Sequence, residues 1–175
     1  MEPVFIGIDP GQGGGIACIV GEDVRAVKMP ETERDVLDFL RNCLTLSDGP
    51  VSAALEKVHS SPQMGVSSSF KFGCGFGGLR MALFAVGIAF DEVTPQRWQK
   101  MLGCLSQGDK NVTKGRAQAL FPNIKMTHAL ADALLIAEYC RRVKLGQLNA
   151  EPQAGSLLPK AKKTRFKKQR QPGLF

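Results

Sequence analysis

Val4-Phe5-Ile6-Gly7-Ile8-Asp9-Pro10-Gly11 runs apolar from Val4 to Ile8, stops on a carboxylate and passes into turn formers. A continuous apolar run of this length, bounded by turn residues, reads as a strand buried on both faces, the kind found inside an α/β sheet. Val51-Ser52-Ala53-Ala54-Leu55-Glu56 repeats the grammar, with Ser52 as its single polar interruption and Glu56 as its terminus. A third segment, His128-Ala-Leu-Ala-Asp132, places an imidazole and a carboxylate at i and i+4, on one face of a helix. That helix continues with Ala131, Leu134, Leu135, Ile136 and Ala137, a broad apolar face that holds Asp132 close to the core. Taken singly, each acid has an ordinary explanation: a solvated strand end for Asp9 or Glu56, and dipole and capping roles for Asp132 and His128.

Between these landmarks the pattern alternates. Strands are expected at Gly15–Val20 and, after the short turn Gly21-Glu22-Asp23, at Val24–Met29. A helix follows to Leu46, with Val36, Leu37, Leu40 and Leu44 spaced to bury one stripe. A Ser-, Gly- and Pro-rich loop to about Ser67 leads into a helix over Ser68–Gly87. Gly73, Gly75, Gly77 and Gly78 weaken that helix by about 1 kcal/mol each against alanine, which suggests that another backbone approaches closely there. Its Leu79, Met81, Leu83 and Phe84 offer a packing face. A fifth strand at Ile88–Val93 and helices at Pro95–Leu102, Asn111–Phe121 and Leu130–Lys144 complete residues 1–148.

The order β-β-β-α-β-α-β-α-α-α predicts a mixed five-stranded sheet flanked by helices. If the strands ending in Asp9 and Glu56 are parallel neighbours, both acids emerge at one sheet edge. A helix laid across that edge brings in His128 and Asp132, the geometry of an RNase H-like fold. Three acids so close repel one another unless a cation neutralises them. Oxygen ligation favours Mg²⁺, and the histidine makes Mn²⁺ acceptable as a substitute.

The formal charge of +7 belongs to the C-terminal end. Lys160, Lys162, Lys163, Arg165, Lys167, Lys168 and Arg170 follow the last acid, Glu151, so residues 1–159 are balanced. A segment this basic, with few large apolar residues, is expected to be disordered over 149–175 and to attract phosphates in a salt-dependent way. No apolar run approaches the ~20 residues that span a bilayer and no signal peptide is evident, so a soluble, cytoplasmic protein is expected. Cys18, Cys43, Cys74, Cys104 and Cys140 form no C-x-x-C pair and read as buried, reduced thiols rather than zinc ligands or a disulfide framework.

Taken in order, Gly7-Ile8-Asp9-Pro10-Gly11 with Gly13-Gly14-Gly15, Leu55-Glu56-Lys57-Val58-His59, Ser67 to Gly73 with Phe70 and Phe72, Thr94-Pro95-Gln96-Arg97-Trp98, and Ala131-Asp132 through Ala137 resemble the RuvC-like Holliday junction resolvases, above all their phage and organelle relatives. The resemblance spans about residues 4–143. It implies a homodimeric, Mg²⁺-dependent endonuclease that resolves four-way DNA junctions by paired nicks, using two divalent ions and no side-chain nucleophile. The family's catalytic acids correspond to Asp9, Glu56 and Asp132, and the fourth ligand, often Asp, corresponds to His128. That departure leaves His128 open between ligand and proton relay. By the same resemblance Phe70, beside Lys71, is a wedge that stacks on an unpaired base, and Lys110 and Lys114 lead the phosphate contacts, with Lys100 and Arg116 nearby. His59 is a weaker candidate for lining the pocket.

The last residues, Gln171-Pro172-Gly173-Leu174-Phe175, resemble the Gln-x-x-Leu-Phe peptides that dock bacterial proteins on the sliding clamp. Two adjacent apolar side chains on an arm can fill a groove while Gln171 orients them by a hydrogen bond. Other readings stay open: an RNase H-like nuclease acting on forks, flaps or RNA–DNA hybrids, an actin-like ATPase, and a non-catalytic, clamp-tethered DNA-binding module. The ATPase requires a second such domain, which this chain is too short to hold.

Overall fold

The computed structural model describes residues 1–60 and 63–148. The expected disorder of the tail, and Gln171, Leu174 and Phe175 with it, lie outside the described residues. The chain runs β1 (Val4–Asp9), β2 (Gly15–Val20), β3 (Asp23–Lys28), α1 (Glu33–Leu44), β4 (Val51–Glu56), α2 (Val66–Ala85), β5 (Ala89–Val93), α3 (Pro95–Met101), α4 (Lys110–Leu120) and α5 (His128–Lys144). Two helices start two residues before their expected positions, α2 at Val66 and α5 at His128. For α5 the reason is local: the Thr127 side chain accepts from the Leu130 backbone N–H and caps the helix at that point.

The strands form one mixed sheet in the order β3-β2-β1-β4-β5. β1, β2 and β3 are an antiparallel meander, and β4 and β5 extend β1 in parallel. In β1 every residue from Val4 to Ile8 is buried, as its unbroken apolar run requires. Side chains alternate between two cores. Phe5, Ala17, Ile19 and Ala54 face α3, α4 and α5, packing with Trp98, Ala117 and Leu134. Ile6, Ile8, Ile16 and Leu55 face α1 and α2, packing with Leu40, Leu79 and Leu83. The RNase H-like α/β architecture expected from the sequence is therefore present.

Gly7 sets the distance between β1 and α5. A Cβ at Gly7 would overlap the Ala137 nitrogen and the Ala133 carbonyl oxygen, so only glycine allows the helix to lie directly on the strand. Ala131, Ala133 and Ala137, all fully buried, are its small counterparts.

The glycines of α2 behave differently from expectation. Nothing lies within 4 Å of a Cβ built at Gly73, Gly75, Gly77 or Gly78, so no backbone approaches them among the described residues. Leu79 and Leu83 turn inward, whereas Met81 and Phe84 are exposed, so the expected single packing face is divided between core and surface. The thiols also depart in part: Cys18, Cys43, Cys104 and Cys140 are buried and Cys74 is exposed.

Candidate active site

Parallel pairing of β1 with β4, in the register Ile8 with Leu55, brings Asp9 and Glu56 to neighbouring positions on one sheet edge. α5 crosses the same edge one turn after its cap, and Asp132 enters beside them. The three carboxylates share one field. Asp9 is pushed up to about 8, first by burial and then by the charges of Glu56 and Asp132. Burial is also the main cause that raises Glu56, with Asp132 adding to it, and burial raises Asp132. Asp9 and Glu56 hydrogen-bond to each other, which raises the first and lowers the second.

Opposing influences come from named groups. Lys110, the first residue of α4, lowers all three acids through its charge. His128, exposed at the start of α5, lowers Asp132. The Trp98 indole Nε1 donates to Glu56 Oε1 at 2.9 Å. The Thr113 hydroxyl has a single proton to share between the Asp132 carboxylate and the Lys110 carbonyl oxygen, 3.2 Å away. The pairing with charge is the stronger of the two. Asp132 Oδ1 is buried and accepts no hydrogen bond from the described residues. A buried carboxylate oxygen without a donor is costly and is a natural acceptor of a cation.

Among the described residues no three His, Cys, Asp or Glu side chains already form a ligating cage. The acids satisfy one another instead, through the Asp9–Glu56 hydrogen bond. The donor chemistry nonetheless fits a hard divalent cation: three carboxylates, one with an orphaned oxygen, and an imidazole one turn away. Asp9, Glu56 and Asp132, separated by up to 123 positions in sequence, are thus electrostatically linked at one sheet edge, and of the three acids His128 acts on Asp132.

The other candidates sort by exposure and partner. Phe70 is 73% exposed near the start of α2, and Lys71 beside it is exposed. Phe72 is half-buried, its ring against Gly11 in the loop after Asp9. Both rings line a groove of about 680 Å³ with Gln12, Met29 and Met64. Lys100 and Lys110 are exposed and Lys114 is half-buried. Arg116 has a structural task, since its Nε donates to the Leu102 carbonyl oxygen at 3.0 Å and ties α4 to the end of α3. His59 is exposed beyond β4, and none of the three raised acids owes its shift to it.

Two residues in contact with the acids, Trp98 and Thr113, were not predicted from sequence to play a part in the site. Trp98 carried a signal that could have found it: the only tryptophan of the chain, in an amphipathic helix, must find an acceptor for its N–H once buried. Thr113 carried none.

No protein-family model matches the chain, and no curated protein matches it in sequence. Among solved structures it is similar to Thermus thermophilus RuvC, with 18% identity and a TM-score of 0.56. It is also similar to T. thermophilus RuvC in complex with a Holliday junction substrate, with 18% identity and a TM-score of 0.58. Each match covers 83% of this chain and 98% of the other. At that identity the likeness establishes a shared fold.

Among the described residues no helix is long and apolar enough to cross a membrane.

Proposed function

We propose that this chain is a divalent-metal-dependent endonuclease that cuts branched DNA, with the four-way junction as its substrate. One observation carries the reading: three carboxylates from β1, β4 and α5 converge at one sheet edge, all raised by burial and Asp9 further by the charges of the other two, in a fold shared with a junction resolvase. Asp9, Glu56, Asp132 and His128 would hold Mg²⁺, with Mn²⁺ as a substitute. When bound, the metal supplies a hydroxide nucleophile from water and neutralises charge on the leaving oxygen.

The chain's own residues set the conditions for that chemistry. Trp98 and Thr113 orient Glu56 and Asp132. Lys110, whose charge already acts on all three acids, is placed to meet the phosphate that enters beside them. Phe70 stands free to stack on an unpaired base, with Lys71, Lys100 and Lys114 as phosphate contacts. A second copy, joined through the open face of α2, would present two such sites to a two-fold symmetric junction. Gln171, Leu174 and Phe175 would tether the protein to a sliding clamp, and changing Leu174 and Phe175 to alanine should abolish binding of the tail peptide.

Cleavage of an immobile four-way junction, beside linear duplex, a replication fork and an RNA–DNA hybrid, tests the reading. Paired symmetric nicks confined to the junction are expected, falling by at least about 10³-fold in Asp132→Asn with junction binding retained. Nicking of forks or hybrids alone would move the substrate while keeping the site, and inactivity in both Mg²⁺ and Mn²⁺ would leave a binding module.

A further inference from the structure

Glu56 reaches the sheet edge as the last residue of β4, where its backbone alone leaves its side chain free to rotate. Asp9 hydrogen-bonds to it within the acid cluster, and the neighbour that holds it from behind comes from α3. Trp98 is 1% exposed and packs in the core with Ala54, Val93, Leu102 and Leu134, and its indole Nε1 donates to Glu56 Oε1 at 2.9 Å. α3 is itself held rigidly. Pro95 begins it, and the Leu102 and Cys104 backbone N–H groups close its end on Trp98 and Gln99. The ring cannot swing without opening a cavity in that core, so the hydrogen bond has a fixed origin.

From this geometry we infer that Trp98 is a positioning residue for Glu56: its indole N–H occupies Oε1, holds the carboxylate in one orientation and leaves the remaining oxygen to take a divalent ion. Core packing around the ring is thereby converted into a defined ligand direction at the site. An N–H donated to a ligating carboxylate from behind fixes its rotamer before the ion arrives, so part of the ordering cost is met during folding. The indole suits the task because it is a donor only and cannot itself compete for a cation. This inference rests on the metal-dependent reading above and names a residue through which its site is assembled.

The test uses the full chain and Mn²⁺ as probe, with affinity measured by electron paramagnetic resonance or calorimetry. Because the chain has a single tryptophan, two kinds of replacement are confined to position 98. Trp98→Phe removes the N–H and part of the ring. Biosynthetic incorporation of a tryptophan isostere with sulfur in place of the indole N–H removes the donor alone. Leu40→Ala, a loss in the other core, which does not contain Trp98, controls for general destabilisation. Wild-type protein is expected to bind Mn²⁺ with quenching of Trp98 emission, reversed by excess Mg²⁺. Both Trp98 replacements should weaken Mn²⁺ binding by about 10–100-fold, while Leu40→Ala leaves it within about 2-fold. If Trp98→Phe fails to fold, the isostere decides. Unchanged affinity in the isostere, or equal weakening in Leu40→Ala, overturns the inference while leaving the metal site standing. Wild-type protein that binds no Mn²⁺ overturns both, so the two failures are distinguishable.

Discussion

Helices α5 and α2 are both rich in small residues, and the molecule uses them in opposite ways. In α5, Ala133 and Ala137 are fully buried and lie directly on Gly7 of β1. In α2, Gly73, Gly75, Gly77 and Gly78 face open space, with Phe70, Met81 and Phe84 exposed beside them. α5 therefore acts as a fixed beam that carries Asp132 to the sheet edge, and α2 as a helix with half of its apolar surface uncovered. Small residues permit close approach without producing it. A neighbour must be present, and among the described residues the small positions of α5 have one where the glycines of α2 do not.

Substitutions at the two helices should separate these uses. The largest effect belongs to Gly7→Ala. Its Cβ would meet the Ala133 and Ala137 backbone, which cannot move aside as a side chain would, so a loss above about 4 kcal/mol or failure to fold is expected in denaturant titrations. Retention of wild-type stability would show that α5 does not rest on β1 as described.

The buried acids under α5 give the next effect. Asp9, Glu56 and Asp132 all have raised pKa values in the folded chain, Asp9 near 8. The folded state therefore holds protons that the unfolded state releases near pH 4. Stability from this source is fully present below about pH 4 and is lost as pH rises towards about 8. The metal-free melting temperature should fall by several degrees between pH 5 and 8, then level off. Mg²⁺ should flatten the slope, and Asp132→Asn should reduce it. α2 contains no acidic residue, so substitutions on its open face should leave the slope unchanged.

Gly77→Ala is a smaller change of opposite sign. With nothing within 4 Å of the new methyl group, the gain in helix propensity should raise stability by about 0.5–1 kcal/mol in denaturant titrations. A loss instead would mean that a partner copy already packs on that face in solution. The smallest effect is expected at Phe70→Ala, within about 0.5 kcal/mol in stability because the ring is 73% exposed, yet with slower junction cleavage.

Much of the site was legible because each acid ends or opens an element whose type is plain from pattern. The apolar run Val4–Ile8 can only be a strand buried on both faces, and Asp9 is its last residue. Val51–Glu56 repeats this, and the i, i+4 spacing of His128 and Asp132 marks one helix face. Phe72 was harder to place, since its contact with Gly11 joins α2 to the loop after Asp9, far apart in sequence. The four glycines of α2 were misread for a related reason: their number announces tolerance of a close neighbour, and cannot tell a neighbour within the chain from one outside it.

By itself, then, the sequence determined the succession of elements and the acids that end β1 and β4, because periodicity and turn chemistry are local and act within a few residues. Only the tertiary structure decided which groups stand behind those acids. Trp98 behind Glu56, Thr113 beside Asp132 and Lys110 over all three depend on how α3 and α4 pack against the sheet. Such contacts between distant segments follow from the filling of a shared core, whose distances and directions no single segment contains.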